Sequence, residues 1–174
     1  MPSGRHSPPP KNSSAGSPPQ PVPVSVDYHL EFKGGKTILR LVHSGFGNGK
    51  TWDHEFDGVS RGWAFELRGL RHYLENHAGQ DRRVAWVRKS VTGSPAAIMP
   101  NVIGPKGRAF RGELADLREG DPYRLENPGA NLSLQGKVAV NTPPRAFAGT
   151  VAALNNGFMR VEMENCAGDE QIWA

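Results

Sequence analysis

A chain of 174 residues with 37% apolar side chains, a mean hydropathy of −0.54 and a formal net charge of +4 has material for one ordinary domain or two small ones, not for a large enzyme. No apolar run approaches the roughly 18 to 20 residues of a membrane span, and the N-terminus MPSGRHSPPPKN has no apolar signal-peptide core; a cytoplasmic chain with no membrane contact is expected. Cys166 is the single cysteine, which excludes an intramolecular disulfide and a cysteine-based zinc site within one chain.

Residues 1–24 hold eight prolines, five serines and no acidic residue, so they are expected to form a mobile, polyproline-rich tail. Pro18 and Pro21 fit a PxxP pattern, which occurs by chance in tails of this composition. From Ser25 the pattern changes: Val26, Tyr28, Leu30 and Phe32 alternate with Asp27, His29, Glu31 and Lys33. That is the signature of a strand with one buried face. Gly34-Gly35 supplies a two-residue turn, and residues 37–43 return as the antiparallel partner.

Next come a polar, glycine-containing loop and the one long helix-period segment. Trp63, Leu67, Leu70, Leu74 and His77 recur at i, i+4, i+7 and i+11 or close to it, which places an apolar stripe on one helix face. Ser60 is the expected N-cap and Gly79 the stop. Gly62 and Gly69 each cost about 1 kcal/mol of helix propensity, which points to a close approach of the helix backbone to a sheet.

Residues 83–91 read as a strand, and Pro95, Pro100 and Pro105 allow at most one or two short helical turns after it. From Pro122 the chain reads as a meander of strands at 123–126, 132–140, 147–154, 158–164 and 170–173. Asn127-Pro128-Gly129, Pro143-Pro144 and Asn155-Asn156-Gly157 punctuate it. Within 159–164, Met159, Val161 and Met163 share one face, while Arg160, Glu162 and Glu164 share the other.

The chemical motifs are mostly eliminated by spacing. GFGNGKT at 45–51 has Ser44 where a phosphate loop needs its first glycine, and TWDHEFD follows it instead of an apolar helix. His43, His54, His72 and His77, with Asp53, Glu55 and Asp57, offer metal-ligating atoms but no helical pair; His72 and His77, five apart, are expected on different faces. No Ser or Cys stands in a nucleophile elbow, and Cys166 lies in a polar NCAGD turn. Residues 82–124 carry nine Lys or Arg against Glu113, Asp116, Glu119 and Asp121. These cations are not interleaved with aromatics as single-strand binders require, so nucleic acid is not an expected partner.

TILRLVHSGFG, WDHEFD and SRGWAFELRGLRHYLE together resemble the last strand and C-terminal helix of the bacterial homologues of the activator of heat shock protein 90 ATPase, in the START-like (SRPBCC) superfamily. GDPYRL, LQGKVAVNTPPRAFAGTVAALNNGFMRVEMEN and GDEQIW resemble the middle strands of such a domain. The resemblance implies an α+β helix-grip fold, an antiparallel sheet wrapped around one long helix as in the birch-pollen allergen. It also implies an order in which residues 25–79 form the C-terminal portion of one domain and 82–174 the N-terminal and middle portion of another. The two portions either belong to truncated tandem domains or complete each other, by rearrangement or by swapping between chains.

What the resemblance implies for function is a binding module without catalysis of its own and without a cofactor. Its ligand is a small hydrophobic molecule, or its surface takes a protein partner. The expected ligand-binding residues are Trp63, Leu67, Leu70 and Leu74 on the helix, Tyr28, Leu30 and Phe32 on the hairpin, and Val138, Val140, Val161 and Met163 on the later strands. Two alternatives stay open: an enzyme of the superfamily, with His43 and Tyr28 pointing into the cavity, and a truncated fragment without function.

Overall fold

The computed structural model describes residues 23–48, 50–166 and 169–173. The proline-rich tail with its PxxP pattern, and the middle of the NCAGD turn, lie outside the described residues. The chain divides into two compact units with the boundary between residues 48 and 49. The helix expected to go with the hairpin is therefore grouped with the later strands.

In the first unit, β1 (Ser25–Lys33) and β2 (Lys36–Ser44) form a two-stranded antiparallel sheet. The pairing runs from Ser25 opposite Ser44 to Lys33 opposite Lys36. Gly34 and Gly35, at φ of 59° and 74°, close the turn in the left-handed region that glycine enters without a Cβ penalty. The two end hydroxyls, Ser25 Oγ and Ser44 Oγ, are 2.7 Å apart. Register and turn are as expected, but the buried face is not. Tyr28, Leu30 and Phe32 are 58%, 72% and 77% exposed, because two strands make one ladder and have no second layer of their own to bury a face.

The second unit is α+β. Its long helix α1 (Lys50–Asn76) has 27 residues and begins ten residues before the expected cap, so Ser60 is an interior residue. The polar-looking TWDHEFD belongs to the helix because Trp52, Phe56, Val59 and Trp63 continue the same i, i+4, i+7 series. The stop is as expected, with Gly79 at φ 82° just past the last turn.

The remaining elements are β3 (Arg88–Ser90), α2 (Pro95–Val102), β4 (Ile103–Gly104), β5 (Phe110–Arg111), β6 (Pro122–Asn127), β7 (Leu132–Thr142), β8 (Ala146–Val151), β9 (Gly157–Cys166) and β10 (Asp169–Trp173). Strand β3 is shorter than expected, and Val84, Trp86 and Val87 before it are exposed. Helix α2 starts with Ser94 as N-cap, its hydroxyl accepting from the Ala97 N–H, and with Pro95 in the first turn, where the missing N–H costs nothing.

The strands order as β3-β10-β9-β8-β7-β6-β5-β4 in one sheet. Its pairings are antiparallel except for the short β4–β5 contact. Asn155 and Asn156, both at positive φ, make the tight connection into β9. One face of this sheet carries the core. Tyr123, Leu125, Leu134, Val138, Phe147, Val151, Val161 and Met163 are buried together with Met99 and Ile103 from α2 and β4 and with Leu114. Glycine at 136 is required by that closeness, since a Cβ there would sit 1.9 Å from the Thr150 carbonyl oxygen.

Candidate functional site: the face beneath the long helix

Strand alternation puts Arg160, Glu162 and Glu164 on the sheet face opposite Val161 and Met163, and this is the face that α1 crosses. Arg61 donates from Nη1 to Glu162 Oε1 at 2.9 Å and from Nε to Asp57 at 3.1 Å. The Arg160 guanidinium holds the other oxygen of Glu162 and reaches Glu164 at 3.5 Å. The Phe65 ring covers Arg160, 4.1 Å from the guanidinium carbon to the ring centre, and Phe65 also meets Phe158 at 5.4 Å. Burial lowers the Arg160 pKa from its ordinary value, against the pull of Glu164 and Glu66. Glu162 is 2% exposed, and a carboxylate so far from water needs both cations.

Further along α1, Arg68 donates to the Ala139 carbonyl at 3.1 Å and pairs with Glu119 at 2.7 Å. His72 Nε2 lies 2.7 Å from the Asn156 carbonyl; since a carbonyl only accepts, that nitrogen carries the hydrogen. The helix face that meets the sheet is therefore Arg61, Phe65, Arg68 and His72, at i, i+4, i+7 and i+11. The expected stripe of Trp63, Leu67, Leu70 and Leu74 is offset from it by two residues, about 200° around the helix. Trp63 and Leu67 are half-buried, while Leu70 and Leu74 are 44% and 59% exposed.

The strand residues expected to face that stripe are also divided. Val138, Val161 and Met163 are buried on the far face of the sheet, in the core with α2. A bulge in β7 separates Val140 from Val138, since Val138 pairs with Gly149 but Val140 with Ala148. Ala148 in turn pairs with Arg160, so Val140 ends up on the side of α1, half-buried. The bulge at Ala139 turns the very carbonyl that Arg68 binds. Within the second unit the expected helix and strand residues are thus divided, with Val138, Val161 and Met163 on the side of the sheet away from α1. Of the alternative catalytic pair, Tyr28 is exposed and His43 lies against Phe46, with ring centres 4.9 Å apart, in the hairpin unit.

What the structure does bring together is a groove of about 600 Å³ between the last turns of α1 and strands β6, β7 and β8. His72 and Asn76 form its helix wall. Gln135, Lys137 and Thr150 come from the sheet, Asn156 from the turn before β9, and Pro122, Tyr123, Gly136 and Ala152 complete it. The Tyr123 hydroxyl donates to the Thr150 carbonyl at 2.7 Å, and burial pushes its pKa up to about 12. Asn76 Nδ2 donates to the His72 carbonyl at 2.9 Å and lies 3.4 Å from His72 Nδ1.

His77 also reaches the Asn156 carbonyl, at 3.4 Å, and its ring centre is 5.3 Å from that of His72. The two histidines, expected on different faces, thus meet at one carbonyl at the end of α1, where the His77 backbone N–H still bonds the Tyr73 carbonyl at 2.7 Å. Among the described residues no three His, Cys, Asp or Glu side chains converge on a cation-sized site, and no helix is long and apolar enough to cross a membrane. Sequence reasoning missed the groove residues because most of them are polar and they are scattered over α1, three strands and the turn before β9; the alternation of Gln135 and Lys137 with buried Leu134 and Val138 was the available signal.

No protein-family model and no curated protein matches the chain. Among solved structures, the chain is similar to the solution NMR structure of the protein encoded by gene BPP1335 from Bordetella parapertussis, at 15% identity and a TM-score of 0.40. The match covers 55% of this chain and 61% of that one.

Proposed function

We propose that this chain is a non-catalytic binding module of the START-like kind, related to the bacterial homologues of the activator of heat shock protein 90 ATPase. In this reading α1 is the gripping helix of a helix-grip domain, and the strands it crosses come from the second half of the chain. The ligand is a small molecule with an apolar part, held beneath the C-terminal half of α1. The observation that carries the reading is the groove of about 600 Å³ at that position, within the range of about 300 to 1,000 Å³ in which proteins hold small molecules. Its walls belong to a rigid sheet and to a helix fixed by Arg61 and His72, so the site is formed before the ligand arrives.

Native mass spectrometry of the chain as purified from cells tests the proposal. A co-purifying small molecule is expected on the unaltered chain and not on Ala152→Trp, whose indole fills the groove from an exposed position. An unaltered chain of bare mass, with no small molecule from a diverse library raising its melting temperature, would overturn it.

A further inference from the structure

Among the ten residues that line the groove, Lys137 is the one that carries a permanent charge, and none is a carboxylate. The cations nearby on α1 are committed: Arg61 to Asp57 and Glu162, Arg68 to Glu119, Arg71 to Glu75. The Lys137 ammonium has no ion pair or hydrogen bond among the described residues. Gln135 stands two residues before it on β7, so both side chains project from the same face about 7 Å apart. That spacing lets two donors, one of them charged, close on the two oxygens of one carboxylate. Beside them Pro122 and Ala152 offer an apolar surface, while the His72 N–H is already spent on the Asn156 carbonyl.

Resting on the binding-module reading, we infer that the groove selects a small amphipathic organic acid. The carboxylate sits at Lys137 and Gln135, and the apolar body lies along Pro122 and Ala152. Desolvating an unpaired ammonium is unfavourable unless an anion replaces the water, which is why the neutral analogue of such a ligand binds less well. Lys137 is exposed on its strand, so changing it leaves the core intact.

The test uses the full chain, isotope-labelled, with three probes: octanoate, 1-octanol and inorganic phosphate. Octanoate is expected to shift the amide signals of Gly136, Thr150 and Asn156 and to bind at least about tenfold more tightly than 1-octanol. Lys137→Met is expected to remove that preference with an unchanged melting temperature, and Lys137→Arg to keep it. Equal binding of octanoate and 1-octanol at those amides overturns the choice of an anion and leaves the binding module standing. Phosphate binding as tightly as octanoate overturns the amphipathic acid in favour of a bare anion. No shift at those amides with any probe overturns the organic-acid inference, while the native mass spectrum and the library decide the binding module.

Discussion

The two faces of the eight-stranded sheet are made by the same strands, yet they are held in opposite ways. On the α2 side Phe147, Leu125, Val161 and Met163 are closed off from water, and the attachment is apolar and tight. On the α1 side the contacts are an ion network, Asp57–Arg61–Glu162–Arg160–Glu164, a cation over Phe65, and histidine bonds to a turn carbonyl. An apolar layer gains from excluding every void, whereas a layer built from a few directed polar contacts leaves space between them. The groove lies on the second face for that reason.

This contrast can be broken at several points. The largest effect is expected from Phe147→Ala, which opens a cavity in the closed face and costs about 3–5 kcal/mol in chemical denaturation; a cost below 1 kcal/mol would show that face to be loosely filled. Glu162→Leu leaves two guanidiniums without their buried partner. The expected cost is about 2–3 kcal/mol, below the full penalty for a broken buried pair because both arginines keep some water. Adding Arg61→Leu and Arg160→Met should restore part of it, and a triple variant no better than the single one refutes the network.

Tyr123→Phe removes a buried hydrogen bond to the Thr150 carbonyl and should cost about 1 kcal/mol. The same phenol sets an alkaline limit. Its pKa in the folded state is raised to about 12 from about 10 unfolded, so its contribution is full below pH about 10 and is lost as pH rises to about 12. Stability curves of the unaltered chain and Tyr123→Phe should therefore converge across that window, and parallel curves would contradict the burial of the phenol. At the weak end, Arg68→Met should cost under about 1 kcal/mol, since its Glu119 partner is exposed. Leu30→Gln, Phe32→Gln and Leu74→Gln should each stay within about 0.5 kcal/mol. A melting temperature lowered by several degrees in any of them would mean that the side chain is covered.

Much of the architecture was legible in the residues. The Gly34-Gly35 hairpin, the short α2 between prolines, the Asn155-Asn156 turn and the meander from Pro122 all stand where local patterns place them. The helix start was not, because Asp53, Glu55 and Asp57 made a helical segment look like a loop. The candidate site was the least legible part: apolar residues at helical spacing marked Trp63, Leu67, Leu70 and Leu74, while the residues that meet the sheet are Arg61, Phe65, Arg68 and His72.

By itself the sequence determined the hairpin, the presence of the long helix, the order of the strands from Pro122 onward and the alternation within them, because turn chemistry and side-chain alternation are properties of neighbouring residues. Only the tertiary structure decided which side of α1 faces the sheet and on which side Val140 falls. A buried charge looks like a surface charge until its partner is found, and Glu162 finds Arg61 a hundred and one positions away. A bulge such as the one at Ala139 exists only in the pairing of two strands. The groove, with Lys137 at its edge, is the product of those long-range choices.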